Sequence, residues 1–355
     1  MKTSLVLSQW SAVSPFGMDQ SDFVQGLHSR SSALTSVNQD AWSTPYSMAG
    51  IVPHFDVREE FGPKGTRALD RATGLAMKSV GQLLDQLAGD IGRDSDIGLV
   101  LGTTAGSVQS AMDFVKDSFV QARPFQVDPS RFPNAVMNRA AGQCAIWHGL
   151  RGPNATIAGG RAAGLLALKY GARLHRRARA QTVLCGSVEE YSEQRAWMAW
   201  RTDDEHRPLG EGCAIFALET AQAAQQCGRS PLAELVSVCL GVWSADDPPE
   251  SVLAHQLTRA LAEIGDQTQS VRAVITGGGP TGALAAAESI AVRRAFGDSP
   301  QIIVEDLLGD TGAASAGFQL AAALSTPGPT DRPHIVVTSV DRDGVVGCAV
   351  VRLVT

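Results

Sequence analysis

The sequence predicts an α/β fold of two similar halves, with helices on both faces of each sheet, and three observations carry that expectation. Short apolar runs of strand length recur along the 355 residues, helical stretches separate many of them, and a polar, Gln-rich segment divides the series in two.

In chain order, Ser4–Ser8 reads as a short strand. The turn-rich Ser11-Ala12-Val13-Ser14-Pro15-Phe16-Gly17 follows it, then a helix beginning near Ser21. A second helix is expected from about Arg67 to Leu87, followed by Asp96–Gly102, an apolar run ending in glycine as a buried parallel strand does. The pattern repeats at Thr182–Gly186, Ala214–Leu218, Val271–Ile275, Gln301–Val304 and His334–Thr338. Such alternation argues for βαβ units with right-handed crossovers. The strands Ala214–Leu218 and Leu232–Leu240 flank a polar turn, Gln222–Ser230, which divides the chain into residues 1–225 and 226–355. Each side holds a strand-helix series ending in strands, which points to a structural duplication without a visible sequence repeat. The low-complexity stretch Ser325–Thr330 reads as a surface loop before a last hairpin.

Composition limits the functional classes. A hydrophobic content of 44% supports large cores, and 36 glycines with only 6% aromatics suit helices packed closely on a sheet. A formal net charge of −6 offers no global basic field for nucleic acid or an acidic membrane. The six cysteines (Cys144, Cys185, Cys213, Cys227, Cys239, Cys348) show neither a C-x-x-C pair nor a nearby histidine spacing for a metal site, and read as reduced core thiols. Met1-Lys2-Thr3 followed by Ser4-Leu5-Val6-Leu7 lacks the apolar run and cleavage site of a secretory signal, and no run of about twenty apolar residues occurs. A cytoplasmic protein without metal or cofactor is the expectation.

The most informative stretch is Arg151-Gly152-Pro153-Asn154-Ala155-Thr156-Ile157-Ala158-Gly159-Gly160-Arg161-Ala162-Ala163-Gly164 with the Ala/Leu helix after it. Physically it is a turn, a strand, a glycine-rich bend and a helix start, which places residue 161 where anions are favoured. In a nucleophile-elbow arrangement a serine or cysteine would occupy this bend. Here it carries a guanidinium. The segment resembles the β-ketoacyl synthase family, whose active-site pattern is G-P-N/S, four residues, then T/S-A-C-x-S-G; the family's cysteine falls on Arg161. Three further stretches extend the resemblance over nearly the whole chain: Val13-Ser14-Pro15-Phe16-Gly17, Phe132-Pro133-Asn134 through Asn138 and Ala141-Gly142, and Arg207-Pro208-Leu209-Gly210-Glu211-Gly212. The implied fold is thiolase-like, two similar halves each with a mixed sheet sandwiched by helices, in αβαβα layers.

Family members also use two histidines, which by resemblance hold the thioester oxyanion and promote malonyl decarboxylation, and their second histidine motif carries a lysine. Gly277 stands in the place of the first histidine, Asp310 in that of the second and Glu305 in that of the lysine, while Ser339–Gly344 replaces the family's C-terminal glycine-rich loop. Losing nucleophile, histidines and lysine together leaves no means to form or stabilise the adduct. Relatives with this combination are the chain length factors, or ketosynthase β subunits, of type II polyketide synthases. The resemblance therefore implies a non-catalytic chain that pairs with an active ketosynthase α subunit and bounds the tunnel for a chain carried by acyl carrier protein. Many such subunits carry glutamine where this chain has Arg161. The runs Leu307–Ser315 and Val183–Glu190 look more like polyene-forming, highly reducing systems than aromatic ones.

Each singled-out residue has a structural reading beside the functional one. Arg161 is a buried cation paired with Asp310 or Glu305, or a contributor to the interface between subunits. Val108, Ala111, Met112 and Val115, after Gly106, form a stripe at helical spacing that is core on periodicity alone. In chain length factors the matching helix lies at the dimer interface and closes the tunnel, and Arg131 and Phe132 match a loop that reaches across the dimer. Arg173, His175, Arg176, Arg177 and Arg179 are a solvated helix end or a docking site for the acidic carrier protein. Two rival readings remain. Gly277-x-Gly279-x-x-Gly282, with Glu305 ending the next strand, satisfies a dinucleotide fingerprint. A homodimeric acyltransferase would need a base beside Ser107, Ser315 or Cys185.

Overall fold

The computed structural model describes residues 4–87, 96–265, 268–278, 282–297 and 301–354. The first fourteen elements are β1 (Leu5–Val13), α1 (Gln20–Ser29), the two-residue strands β2 (Thr35–Ser36) and β3 (Met48–Ala49), α2 (Val57–Phe61), α3 (Arg71–Leu87), β4 (Gly98–Thr103), α4 (Val108–Val120), α5 (Arg139–His148), β5 (Asn154–Ala158), α6 (Ala163–Arg176), β6 (Val183–Glu189), α7 (Glu193–Thr202) and β7 (Gly212–Thr220). After the short helix α8 (Ala221–Gln226) come β8 (Ala233–Val242), α9 (Pro249–Ala262), β9 (Val271–Thr276), α10 (Gly282–Phe296), β10 (Gln301–Ile303), α11 (Glu305–Leu308), α12 (Ser315–Ser325), β11 (His334–Val340) and β12 (Val345–Leu353).

All main strands join one ten-stranded sheet in the order β10-β9-β11-β12-β8-β1-β7-β6-β4-β5. Numbered by appearance within each half, the strands lie in the same order on both sides: third, second, fourth, fifth, first. Each half is mixed. β4 pairs in parallel with β5 and β6, β9 in parallel with β10 and β11, and the remaining neighbours are antiparallel. The halves meet where β1 and β8 pair through Val6 with Glu234 and Leu7 with Ala233. Helices α6 and α12 lie between the halves and touch strands of both, while α3 and α5 cover one outer face and α9 and α10 the other. The layers are therefore αβαβα, and the fold is thiolase-like. Every residue of β4 and β6 is buried, which is why these strands read as continuous apolar runs. Trp10, Phe23, Phe216 and Phe318 form a chain of ring contacts at the centre, with Phe23 and Phe318 stacked at 5.6 Å.

Several boundaries differ from the sequence expectation. β1 runs on through Val13, because the hydroxyl of buried Ser11 donates to the Ser79 carbonyl at 2.7 Å and polar residues can therefore continue the strand inside the core. α3 starts at Arg71, since the Asp70 carboxylate takes the Thr73 amide at 2.7 Å and caps the helix there. The polar break after β7 holds α8, capped by Thr220, and β1 lies between β7 and β8 in the sheet.

Candidate functional site

The loops at the carboxyl ends of β5, β9 and β11 converge on the N-terminal ends of α6 and α12, and Arg161 is where they meet. The residue is only 3% exposed although it sits at a helix start, beside the positive end of the dipole. Such a cation needs partners, and the fold supplies them. Nη1 donates to Asp310 Oδ1 at 2.6 Å, Nη2 to the Gly277 carbonyl at 2.6 Å, and Nη2 also contacts the Glu305 carboxylate. The Arg161 backbone amide donates to Asp341 Oδ2 at 2.7 Å. One residue thus ties four loops. Gly160 has φ +49, and a Cβ there would strike the Asp341 carboxylate, so the bend requires glycine.

The cage is closed by further bonds. Ser315 donates to Glu305 at 2.6 Å, the Gly312 amide to Asp310 at 2.9 Å, and the Gly277 amide to buried Glu288 at 3.2 Å. Arg195 places its guanidinium on the carbonyls of Glu190, Gly210 and Asp310 and so fixes the Asp310 loop from behind. Burial opposes the charge on Arg161, but Glu305 and Asp310 outweigh it and hold the guanidinium protonated. Burial pushes Asp310 up as well; Arg161 and Arg195 more than reverse this, and it stays below the usual carboxylate value. Glu305 is pushed up to about 7 by burial, against the pull of Arg161. Burial also raises Glu288 and Asp341.

The structure brings Arg161, Gly277, Glu305 and Asp310 into one cluster and gives Arg161 both carboxylates at once. A Cβ on Gly277 would lie 3.1 Å from Gln319 Nε2 and 3.3 Å from Arg161 Nη2, so the guanidinium already occupies the space a histidine at 277 would use. Ser315 and Ser107 do face carboxylates, yet both are nearly inaccessible, and burial pushes the Cys185 thiol far up. The acyltransferase reading therefore finds bases without an open nucleophile. The dinucleotide fingerprint lies partly outside the described residues, at Gly279; at Gly282, which opens α10, the backbone amide is taken by the Glu205 carboxylate. An anion already sits where a pyrophosphate would.

The α4 stripe is not core within this chain. No residue of α4 is buried; Val108 and Ala111 are half-buried, while Met112 is 43% and Val115 50% exposed. The helical periodicity therefore marks an apolar face that the described residues of this chain leave open. Gly106, with φ +72, lets the loop before α4 pass against the Met137 backbone. Arg131 lies in the 3-10 segment Pro129–Ala135 with Asp117 and Asp128 at 3.7 and 3.8 Å, and the adjacent Phe132 is exposed. Phe119, Phe125, Val136, Met137 and Ile146 are exposed as well. Arg173 and Arg176 end α6, and Arg177 and Arg179 follow it; with Tyr170 and Leu174, three of these arginines line an open cleft.

Sequence reasoning did not single out Glu288, Arg195, Glu189 or Glu190. Their signal was faint: adjacent glutamates closing a fully buried strand need an internal partner. Among the described residues no group of three or more His, Cys, Asp or Glu is placed to hold a metal ion, and no helix is long and apolar enough to cross a membrane.

Comparison with known proteins gives consistent likenesses. Residues 9–217 match the family model for the β-ketoacyl synthase N-terminal domain. A 3-oxoacyl-[acyl-carrier-protein] synthase 2 of Coxiella burnetii is 23% identical over 366 residues, covering 92% of this chain and 87% of its own length. A protein of Streptomyces virginiae described as a putative polyketide β-ketoacyl synthase 2 is 25% identical, with 83% and 79% covered. Among solved structures, one described as the ishigamide ketosynthase/chain length factor is 39% identical with a TM-score of 0.91, covering 99% of this chain and 100% of its own. A type II polyketide synthase complex of ketosynthase and acyl-carrier protein, AntDE:AntF, superposes with a TM-score of 0.81 at 17% identity and shares the fold.

Proposed function

This chain belongs to the β-ketoacyl synthase family, and on that premise we propose that it is a non-catalytic chain length factor, the β subunit that pairs with an active ketosynthase and shapes the tunnel for a polyketide or polyene chain elongated on acyl carrier protein. The carrying observation is Arg161. At the position that the family's cysteine takes, the chain holds a guanidinium bound to Glu305, Asp310 and the Gly277 carbonyl, and such a group is neither nucleophile nor proton shuttle. The curated relatives are named as synthases; the difference proposed here lies in those residues rather than in the scaffold. The 39% identity to a structure described as a ketosynthase/chain length factor supports the same reading.

The partner would supply the cysteine and both histidines, and the exposed face of α4 with the 129–137 segment is where it would bind. Co-expression with an active type II ketosynthase α subunit tests the proposal: a stable heterodimer is expected, and a chain that purifies only as monomer or homodimer would end it. Val108 and Ala111 are small, half-buried residues on α4 and are assigned to the tunnel wall. Replacing either by Phe adds several methylene volumes and should shorten the product of the pair, read by mass spectrometry; an unchanged length removes those positions from the tunnel. The arginines at the end of α6 (Arg173, Arg176, Arg177 and Arg179) are assigned to docking of the carrier protein, steered by its acidic charge.

A further inference from the structure

α4 carries no buried residue, so apolar packing within the chain does not clamp its start. Polar bonds do. The helix cap Ser107 donates to Glu190 Oε1 at 3.2 Å, the Gln109 amide donates to the same oxygen at 3.2 Å, and the Gln194 amide donates to the Gln109 side chain at 3.3 Å. Glu190 itself is 1% exposed, and its second oxygen is buried with no hydrogen-bond partner among the described residues. A carboxyl group rarely goes inside a protein half-satisfied unless what it holds is worth the desolvation. What it holds here is one helical turn.

We propose that Glu190 is a positioning residue that fixes the first turn of α4 and thereby the tunnel wall this turn carries; the second part rests on the chain-length-factor reading above. Val108 and Ala111 lie on the turn that Glu190 anchors, so a shift of the anchor moves the wall without altering a residue that lines it. The surrounding charges are unusually one-sided. Asp70, at the start of α3, and Glu189, at the end of β6, add negative potential; Arg71 also acts on Glu190 but is bonded to Glu211, Arg139 faces Asp70, and Arg195 lies 4.0 Å from Glu189. Burial pushes the Glu190 carboxyl up to about 8, Asp70 adding to the effect and the Gln109 amide opposing it.

The sign of the pH dependence follows. A released turn lets water reach the carboxyl and returns it to its ordinary value, so the anchored turn binds more protons than the released one. Anchoring is fully present below the ordinary carboxyl value and is lost as pH rises through about 8.

The test is amide hydrogen exchange on the purified chain, at Gln109, Ser110 and Ala111, in wild type, Glu190→Gln and Glu190→Leu. The glutamine keeps an acceptor oxygen and should protect these amides as wild type does at pH 6.5. The leucine removes it and should speed exchange about ten-fold, the effect of roughly one to one and a half kcal/mol of lost hydrogen bonding. Between pH 6.5 and 9, wild type should lose protection relative to Glu190→Gln measured at the same pH. Exchange in Glu190→Leu at the wild-type rate overturns the proposal. Should that variant not fold, a wild type that tracks Glu190→Gln across the pH range overturns it equally. With the ketosynthase partner present, Glu190→Leu should broaden the product-length distribution while Glu190→Gln leaves it intact. Altered exchange with an unaltered product would retain the anchor and remove its link to the tunnel, whereas absence of any heterodimer would strike at the functional reading alone.

Discussion

Arg161→Met lowers the stability of this chain by about 3–5 kcal/mol, the usual consequence of removing one partner of a buried ion pair. Methionine fills comparable length but leaves the Gly277 carbonyl without its donor and two carboxylates facing each other in a site with almost no solvent. The melting temperature should fall by on the order of 10 °C, read by scanning fluorimetry at one scan rate. The loss should also grow with pH. In wild type, Asp310 is held low by Arg161 and Arg195, so its share of stability is present above its ordinary value and lost only in acid. Glu305 is raised to about 7, so it favours the folded state in acid and weakens it as pH climbs from its ordinary value through 7. Without the guanidinium both carboxyls are raised by burial, so the folded variant takes up protons and the deficit against wild type is larger at pH 8 than at pH 5. A melting temperature within a degree of wild type at both pH values would show the cage to be energetically idle.

The same cage separates what the sequence revealed from what it did not. The glycine bend, the guanidinium at 161 and the acidic residues at 305 and 310 stand in motifs of fixed spacing, and those spacings survive folding because the bend at 161 and the segment from 305 each follow a strand held in parallel register against its neighbour. The duplication was legible as two strand-helix series, since parallel strands buried on both faces are apolar throughout. The identical strand order was not legible, because it depends on which strands pair. Nor could periodicity assign the α4 stripe. Apolar residues at helical spacing suggest a core face, yet Met112 and Val115 are exposed, because what packs on a helix depends on tertiary neighbours that periodicity does not encode. Glu190 escaped notice for a related reason: its hydrogen-bond partners lie 81 and 83 residues away in sequence, across a strand crossover that no local pattern encodes.

Thr156→Pro should abolish pairing with the ketosynthase while leaving this chain folded. Among the described residues β5 is an edge of the sheet and pairs on one side only, with β4. Pro153 offers its carbonyl to the Leu99 amide at 2.8 Å and Gly159 donates its amide to Thr103 at 3.2 Å, so the odd-numbered residues of β5 bond to β4 and the amides of Asn154, Thr156 and Ala158 point to the open side. Proline at 156 therefore removes an outward donor without touching the internal ladder, the device by which natural sheets block edge pairing. If the partner docks along this edge, a missing donor and the ring's bulk leave a buried carbonyl unpaired. The deficit of about 3 kcal/mol weakens association roughly a hundred-fold, enough to lose the partner during purification. Thr156→Val is the matched control. It keeps the amide and deletes a hydroxyl that is buried without a hydrogen-bond partner among the described residues, so pairing should persist. Copurification of the proline variant at wild-type yield would remove the β5 edge from the heterodimer interface.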